Sequence, residues 1–387
     1  MLPLPLKTLP KLKKEKLMDF LLDSLRLITW REIVMWIIGL TLIYLAIKKE
    51  MEPALLLPIG FGAILVNIPL TNVLSDSAGA GIIEWLFNVG IEASEALPIL
   101  LFIGIGAMID FEALITNPKL MVLGAFAQLG IFITIIFATL LGFNINDAAS
   151  VGIIGAADGP TSILVAMKLK SNYIGPIMVV AYSYMALVPI IQPAVIKCIT
   201  TKKERLIRME YTGRKVTKTV KILFPIIITL VAGIIAPKSL ALIGFLMFGN
   251  LIKECGVLGS LADTAKTTLA NLITLLLGIT VAFQMQASKF LSLEMLMILA
   301  LGLFAFVFDT VGGVMCAKIM NLFSKKKINP MVGAAGISAF PMSARVVHKM
   351  GLKEDPSNFL LMHAVGANVS GQIASAVVGG LIIGLVA

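Results

Sequence analysis

The sequence predicts an all-α polytopic membrane protein with a transporter-like architecture. Of its 387 residues, 58% are hydrophobic and only 14% are charged, and the mean hydropathy is +0.97. A water-soluble domain carries about 25% charged residues and cannot bury so large an excess of apolar side chains. Lipid-facing helices account for that excess, so a soluble enzyme, a DNA-binding domain and a disordered scaffold are poor fits.

Apolar runs recur along the whole chain and predict roughly ten to twelve membrane segments, at about 20 residues per span, some of them short or interrupted. Their parity stays open at this point. The runs cover residues 33–47, 54–70, 96–109, 120–143, 149–167, 174–196, 222–236, 240–252, 268–283, 293–323, 331–347 and 359–386.

Charge divides the chain into four regions. Residues 1–30 begin with lysines and place Leu17, Leu21, Leu25 and Ile28 on one helical face, which favours a helix lying on the membrane or packing on a partner subunit. A first membrane half follows at 31–197. The loop at 198–221 is strongly basic and is expected to be cytoplasmic. A second membrane half spans 222–387. We expect a multi-pass protein of the cell membrane, in contact with lipid.

Several other classes of function lack their sequence signals. The net charge of +10 is typical of cytoplasmic loops in a membrane protein, so no nucleic-acid partner is expected. Three widely spaced cysteines and two histidines do not form a zinc-site or disulfide pattern. The sequence has no Walker A loop, GxGxxG, GxSxG or HExxH motif, and nothing in it indicates ATP hydrolysis.

An internal repeat relates the two membrane halves. An offset of 181 residues aligns GIIGAADGPTS, starting at Gly152, with GAAGISAFPMS, starting at Gly333. The matched residues are the Gly, Pro and Ser positions that interrupt helices. Interrupted segments at corresponding places in two halves are typical of transporters whose substrate site lies at the repeat interface. Whether the halves are inverted or parallel stays open here.

Asp158 is the residue that most needs an explanation. It lies in an otherwise uncharged stretch, where an ionised carboxylate costs several kcal/mol, about 2.5–3.5 on insertion scales. Gly159 and Pro160 follow, so the helix is expected to break and release backbone carbonyl groups. Thr161 and Ser162 add hydroxyl groups. This oxygen-only set suits a small hard cation such as Na⁺. A helix cap or a distant arginine partner is the simpler alternative.

The second half supplies further polar groups, each with a structural alternative. Asn329, Ser338 and Ser343 lie in or beside the second interruption, and Arg345 follows it. Asn368, Gln372 and Ser375 share one face of the last helix, where interhelical hydrogen bonding would also explain them. Tyr184 offers a phenol, although a lone tyrosine is more often part of the core. Asp309 is a candidate second acidic site that could instead pair with Lys318 or Arg345.

Five segments resemble the membrane-embedded β subunit of the biotin-dependent sodium-pumping decarboxylases, which act on oxaloacetate, methylmalonyl-CoA, glutaconyl-CoA or malonate. The resemblance extends from about residue 33 to the end of the chain. The segments are GAADGPTS (155–162), SYMALVPIIQP (183–193), FVFDTVGGV (306–314), INPMVGAAGISAFPMSARVV (328–347) and HAVGANVSGQIASAV (363–377).

The resemblance implies a carboxybiotin decarboxylase that exports Na⁺. It implies a biotin carrier protein or domain, a carboxyltransferase α subunit and a small membrane subunit of the γ or δ type as partners, with a homo-oligomer inside the complex. It places catalytic roles on Asp158, Tyr184 and Arg345, with Arg345 also holding carboxybiotin. The Na⁺ ligands expected from the resemblance and from the residues together are Asp158, Thr161, Asn329, Gly333, Ser338 and Asn368.

The mechanism expected from these residues is an exchange of cations at Asp158. Burial disfavours the charged carboxylate and a bound cation favours it, so Na⁺ and H⁺ should compete there. Decarboxylation of carboxybiotin consumes a proton, which Na⁺ could displace from Asp158 or Tyr184. The alternative function is a Na⁺-coupled secondary transporter or a Na⁺/H⁺ antiporter without biotin chemistry.

Overall fold

The computed structural model describes residues 26–71, 73–75, 79, 81–93, 95–210 and 216–386, and no β-strand occurs in these ranges. The α-helices, numbered in chain order, are α1 Trp30–Lys48, α2 Pro53–Val66, α3 Ile82–Phe87, α4 Ala96–Met108, α5 Glu112–Thr116, α6 Leu120–Phe126, α7 Leu129–Leu140, α8 Ile145–Gly152, α9 Gly159–Lys168, α10 Ile174–Ile199, α11 Lys202–Arg205, α12 Lys218–Ile235, α13 Leu240–Glu254, α14 Gly259–Thr264, α15 Ala270–Val281, α16 Ala287–Phe290, α17 Leu293–Phe323, α18 Pro330–Ala334, α19 Met342–Glu354 and α20 Leu361–Val386.

The all-helical membrane fold predicted from the composition is confirmed, but the count of ten to twelve segments is not. Seven helices of the described residues are long and apolar enough to cross a membrane, or eight if the bent pair Ile82–Glu92 and Ala96–Met108 is one span. Several predicted segments form shorter helices, such as the 14 residues of α2. Apolar composition alone does not separate a helix that crosses the bilayer from one that only enters it.

The repeat extends over both membrane halves in the order of their helices. The long helices α10 and α20 each have 26 residues and start 187 positions apart. The pairs α1 and α2, and α12 and α13, correspond in the same way. In each half, two short helices separated by a break precede the last long helix. We call α8 with α9 hairpin 1, and α18 with α19 hairpin 2.

Hairpin 2 starts and ends beside the basic loop that connects the two halves. Asn329 Nδ2 donates to the carbonyl oxygens of Arg205 (2.9 Å) and Ile207 (2.8 Å), and Arg205 pairs with Glu354 at 2.7 Å. Both ends of hairpin 2 therefore lie on the face that carries this loop. By the positive-inside rule this face is cytoplasmic, and we call it the basic face.

Hairpin 1 starts and ends on the opposite face. Asp147, near its start, accepts hydrogen bonds from Ser171 Oγ (2.7 Å) and from the backbone N–H of Asn172 (2.8 Å), just before α10 begins. Helix α10 is long enough to cross the bilayer and ends at the basic loop. The two hairpins therefore enter the protein from opposite faces, and the two halves are inverted relative to each other.

Two predicted regions lie partly outside the described residues. The predicted N-terminal amphipathic segment, 1–30, is described only from residue 26. The basic loop 198–221 is described except for 211–215, and it contains the short helix α11 with a capping box between Thr201 and Glu204.

Candidate functional site

Hairpin 1 breaks at the position predicted from the sequence. Helix α8 continues into a 3₁₀ turn, Ile153–Ala156, and the chain reverses at Ala157, whose φ of +53° is left-handed. Pro160 lies in the first turn of α9, where its missing N–H costs nothing. Each arm is too short to cross a bilayer of about 30 Å, so Asp158 lies at the tip of a hairpin that ends inside the membrane.

The tips of the two hairpins meet each other. The backbone N–H of Ser338 donates to the carbonyl oxygen of Ala156 at 3.1 Å, and Ser338 Oγ donates to the same oxygen at 2.8 Å. Ser338 lies in the break between α18 and α19, which corresponds to the break of hairpin 1 in the repeat. The interface between the two halves is therefore polar at its centre.

Asp158 is buried at this meeting point, with an exposed fraction of 3%. Its Oδ2 accepts a hydrogen bond from Thr161 Oγ1 at 2.5 Å and lies 3.5 Å from Ser375 Oγ on α20. Ser162 Oγ donates to the Asp158 carbonyl oxygen at 2.9 Å. Asp158 forms no ion pair with any residue of the described ranges. The predicted distant arginine partner is absent from this part of the chain, so a bound cation could balance the carboxylate.

Helix α20 adds two amide side chains whose oxygens are uncommitted. Asn368 Nδ2 donates to the Ile337 carbonyl oxygen at 2.7 Å, and Gln372 Nε2 donates to that of Ser338. Asn368 Oδ1 and Gln372 Oε1 are buried without a hydrogen-bond partner among the described residues. The amide nitrogens thus hold the tip of hairpin 2, and the oxygens are left available as ligands.

A glycine allows α20 to come this close to hairpin 2. A Cβ atom at Gly371 would lie 2.1 Å from the carbonyl oxygen of Gly336. Carboxylate, hydroxyl and amide oxygens from hairpin 1, hairpin 2 and α20 therefore converge on one buried region. This donor set suits an alkali or alkaline-earth cation rather than zinc or copper.

Two of the predicted Na⁺ ligands are not part of this convergence. Asn329 lies at the start of hairpin 2 on the basic face, where its Oδ1 caps α18 by accepting from the N–H of Met331 (3.0 Å). Gly333 lies in α18 against Gly313 of α17, and a Cβ there would be 2.0 Å from the Gly313 carbonyl oxygen. Asp158, Thr161, Ser338 and Asn368 are the four predicted ligands that the structure brings together.

Of two neighbouring tyrosines, the one that faces hairpin 1 is not the one predicted. Tyr184 donates its hydroxyl to the Leu299 carbonyl oxygen at 2.5 Å, against α17. The ring of Tyr182 instead packs on Gly159, next to Asp158, with its Cε1 and Cζ 2.5 Å from the position of a Cβ at Gly159. The Tyr182 hydroxyl is buried and has no hydrogen-bond partner in the described part of the chain. Sequence reasoning missed Tyr182 because both tyrosines lie in one apolar run.

Arg345 lies away from Asp158, in a cavity on the basic face. The cavity has a volume of about 380 Å³ and is also lined by Lys197, Lys349, Glu50 and Glu52. Burial raises the pKa of the Glu52 carboxyl group, and the nearby Arg345 guanidinium partly opposes this shift. Several cations surround the opening, so the cavity can accept an anionic group from the cytoplasmic side.

Asp309 has neither of the cationic partners that the sequence offered. Lys318 pairs with Glu204 at 3.0 Å, and Arg345 lines the cavity on the basic face. Asp309 is fully buried in α17 and accepts a hydrogen bond from the N–H of Ile131 at 3.2 Å. The interpretation of Asp309 as half of an ion pair with Lys318 or Arg345 is wrong.

Comparison with known proteins identifies one family. The profile of the Na⁺-transporting oxaloacetate decarboxylase beta subunit matches residues 31–386. The methylmalonyl-CoA decarboxylase subunit beta of Propionigenium modestum is 47% identical over 378 residues, covering 91% of this chain and 94% of the relative.

Two further relatives act on other substrates according to their names. The glutaconyl-CoA decarboxylase subunit beta of Acidaminococcus fermentans is 47% identical over 358 residues, or 92% of this chain and 94% of that protein. The oxaloacetate decarboxylase beta chain of Klebsiella pneumoniae is 42% identical over 408 residues, with 90% and 94% coverage.

Proposed function

Since the chain belongs to the family of β subunits of Na⁺-transporting decarboxylases, we propose that it binds Na⁺ between its two hairpins and decarboxylates carboxybiotin at the cavity around Arg345. It is a multi-pass protein of the cell membrane and a subunit of a decarboxylase that transports Na⁺. A secondary transporter without decarboxylation is not favoured, because the relatives are decarboxylase subunits.

The meeting of the hairpin tips carries the proposal for Na⁺. Asp158, Thr161, Ser338 and Asn368 are the proposed ligand residues from the predicted set, and Gln372 and Ser375 extend it. The supporting observation is that Asp158 is buried without a cationic side chain, while Asn368 and Gln372 keep buried oxygens free. Na⁺ and H⁺ then compete for the Asp158 carboxylate.

The cavity on the basic face supports a place for carboxybiotin. The planar guanidinium of Arg345 can hold the carboxylate on biotin through paired hydrogen bonds, and the cavity opens on the face expected to be cytoplasmic. Loss of CO₂ breaks the bond between the ureido nitrogen and the carboxyl carbon, and the electron pair left on the ureido group takes up a proton. We assign Tyr184 no step, since its hydroxyl is held by Leu299.

Na⁺ export needs energy that decarboxylation can supply. Moving one Na⁺ against about 100 mV costs about 2.3 kcal/mol. We propose that Na⁺ arrives from the basic face, displaces a proton from Asp158, and leaves on the face where hairpin 1 enters. The proton then replaces the one that decarboxylation consumes.

The proposed partners follow from the division of the reaction. A biotin carrier protein or domain delivers carboxybiotin, a carboxyltransferase α subunit loads it, and a small membrane subunit of the γ or δ type completes the membrane part, with more than one copy of this chain in the complex. Avidin, which sequesters biotin, tests this arrangement. Na⁺ transport by the purified complex that is unaffected by avidin would rule out the carboxybiotin step.

Asp158→Asn tests the Na⁺ site directly. We expect the purified complex carrying it to lose Na⁺-dependent decarboxylation, because the amide cannot balance the charge of the cation. Asp263→Asn is the matched control, since Asp263 is exposed and pairs with Lys266 on the surface. A Na⁺ requirement that is the same in Asp158→Asn and in the unmodified chain would remove Asp158 from the site.

A further inference from the structure

Asp309 is a second buried acid, and two glycines make room for it. It lies near the middle of α17 and is fully buried. A Cβ at Gly130 of α7 would lie 2.7 Å from its Oδ1, and a Cβ at Gly155 of hairpin 1 would lie 2.4 Å from its Oδ2. Oδ1 accepts from Ile131, whereas Oδ2 has no hydrogen-bond partner among the described residues. The unpartnered oxygen therefore faces the backbone of hairpin 1.

The repeat gives Asp309 a counterpart. The offset of 181 residues that pairs Gly155 with Gly336 also pairs Gln128 with Asp309. Gln128 is buried at the break between α6 and α7, and its Nε2 donates to the carbonyl oxygen of Gly336 in hairpin 2 at 3.4 Å. Each position thus contacts the hairpin of the opposite half at the equivalent glycine. One half uses an amide there, and the other uses an acid.

The surroundings of Asp309 offer no cation to balance a negative charge. Helices α6, α7 and α18 carry no titratable side chain. The titratable groups on the other elements packed against α17 near Asp309 are Tyr182, Tyr184 and Lys197 of α10 and Asp147, Asp158 and Lys168 of hairpin 1. Lys168 pairs with Glu95 at 3.1 Å, and Asp147 is bonded at the other end of its hairpin. An ionised carboxylate is unfavourable in such a site.

A protonated carboxyl group would match the chemistry of the counterpart. A neutral carboxylic acid keeps an acceptor oxygen and gains one O–H donor, so it resembles the side-chain amide of Gln128. A proton also fits where Gly155 lies too close to leave room for a larger cation. Oδ1 can still accept from Ile131 while Oδ2 carries the proton.

We propose that Asp309 binds a proton and acts as a neutral hydrogen-bond donor that positions hairpin 1, in the way that Gln128 positions hairpin 2. Asp309 is therefore a positioning residue, which acts on Asp158 through the three residues between Gly155 and the tip. This role rests on the proposed function of Asp158 as the Na⁺ ligand. It assigns the two buried acids different tasks: one exchanges its proton for Na⁺, and the other keeps it.

Rescue by a conservative substitution tests the proposal in the purified complex. Asp309→Asn keeps the shape and a donor, so the Na⁺ concentration for half-maximal decarboxylation should stay within about twofold of the unmodified value. Asp309→Leu removes the donor and should raise that concentration about tenfold. Equal loss in both variants would overturn the proposal, because it would mean that the charge is required. Loss of Na⁺ dependence in Asp158→Asn is a separate outcome, which bears on the proposed function alone.

Infrared spectroscopy tests protonation even if Asp309→Asn folds poorly. In the complex carrying Asp158→Asn, the carbonyl stretching band of a buried protonated carboxylic acid should persist at neutral pH. It should disappear when Asp309→Gln, which copies the Gln128 side chain, is added. A spectrum without that band in the single variant would show that Asp309 is ionised and would refute the assignment.

Discussion

Ser338 donates two hydrogen bonds to one oxygen atom, the carbonyl oxygen of Ala156, at 3.1 Å from its backbone N–H and at 2.8 Å from its hydroxyl. These bonds join the two hairpin tips next to Asp158. An alanine at 338 keeps the backbone bond and removes the hydroxyl bond. A hydrogen bond contributes about 1 kcal/mol net, or about a fivefold change in an equilibrium.

We expect Ser338→Ala to raise the Na⁺ concentration for half-maximal decarboxylation about fivefold, because hairpin 2 is held less firmly against hairpin 1. The measurement is the Na⁺ dependence of decarboxylation by the purified complex. Ser357→Ala is the control, since Ser357 is exposed in the loop after hairpin 2. A Na⁺ dependence that is equal in both variants would contradict the role of the hydroxyl.

Two glycines of α20 provide a matched pair for the close contact with hairpin 2. A Cβ at Gly371 would lie 2.1 Å from the Gly336 carbonyl oxygen, whereas a Cβ at Gly384 meets nothing within 4 Å among the described residues. Overpacking typically costs about 1–3 kcal/mol. Gly371→Ala should therefore lower the melting temperature of the complex by several degrees. Gly384→Ala should leave it unchanged or raise it, since alanine favours a helix. If the two melting temperatures are equal, the contact is not tight.

The two tyrosines of α10 should separate stability from ion binding. Tyr184→Phe loses the hydrogen bond to Leu299 and should cost about 1 kcal/mol of stability. Tyr182→Phe removes a hydroxyl that has no described partner, so stability should hold, while the Na⁺ dependence should change because the ring lies on Gly159 beside Asp158. Melting curves and Na⁺ titrations of both variants are the measurements. The opposite pattern would reverse the assignment.

Glu52 predicts a pH-dependent effect at the cavity on the basic face. Burial raises the pKa of Glu52, so at neutral pH the unfolded chain ionises this group more readily than the folded chain does. The folded state is therefore disfavoured at neutral pH relative to acid pH. Glu52→Gln removes this dependence and should stabilise the protein at neutral pH by less than about 1 kcal/mol, since the side chain is only half-buried.

Melting temperatures of Glu52→Gln and of the unmodified protein, measured from neutral to acid pH, test this sign. The difference should shrink as the pH falls through the ordinary range of a glutamate. Glu50→Gln is the control on the same turn between α1 and α2. A benefit of Glu52→Gln that grows toward acid pH would contradict the argument.

The sequence was most informative where a residue conflicted with its surroundings. Asp158 in an apolar run, followed by Gly and Pro, correctly indicated a broken helix, and the repeat located the second break. The number of spans was not predictable, because arms that enter the membrane and helices that cross it are equally apolar. The choice between Tyr182 and Tyr184 depends on helix rotation against Gly159, which the sequence does not contain.

Two other features were present in the sequence but were interpreted differently. Asn329 before Pro330 is a helix-start signal, and the structure uses it so, as the cap of α18. The correspondence of Gln128 with Asp309 was available from the offset of 181 residues. Its meaning required the structure, because only the fold shows that each residue contacts the hairpin of the opposite half.

This crossed arrangement affects how the protein is made. During synthesis the first half enters the bilayer before α17 and α20 exist, so Asp158 has no lasting surroundings until translation is nearly complete. The carboxyl group must wait, protonated or near water, while more than two hundred further residues are added. The ion site is thus among the last parts of the molecule to mature, and truncated chains that stop before α20 cannot assemble it.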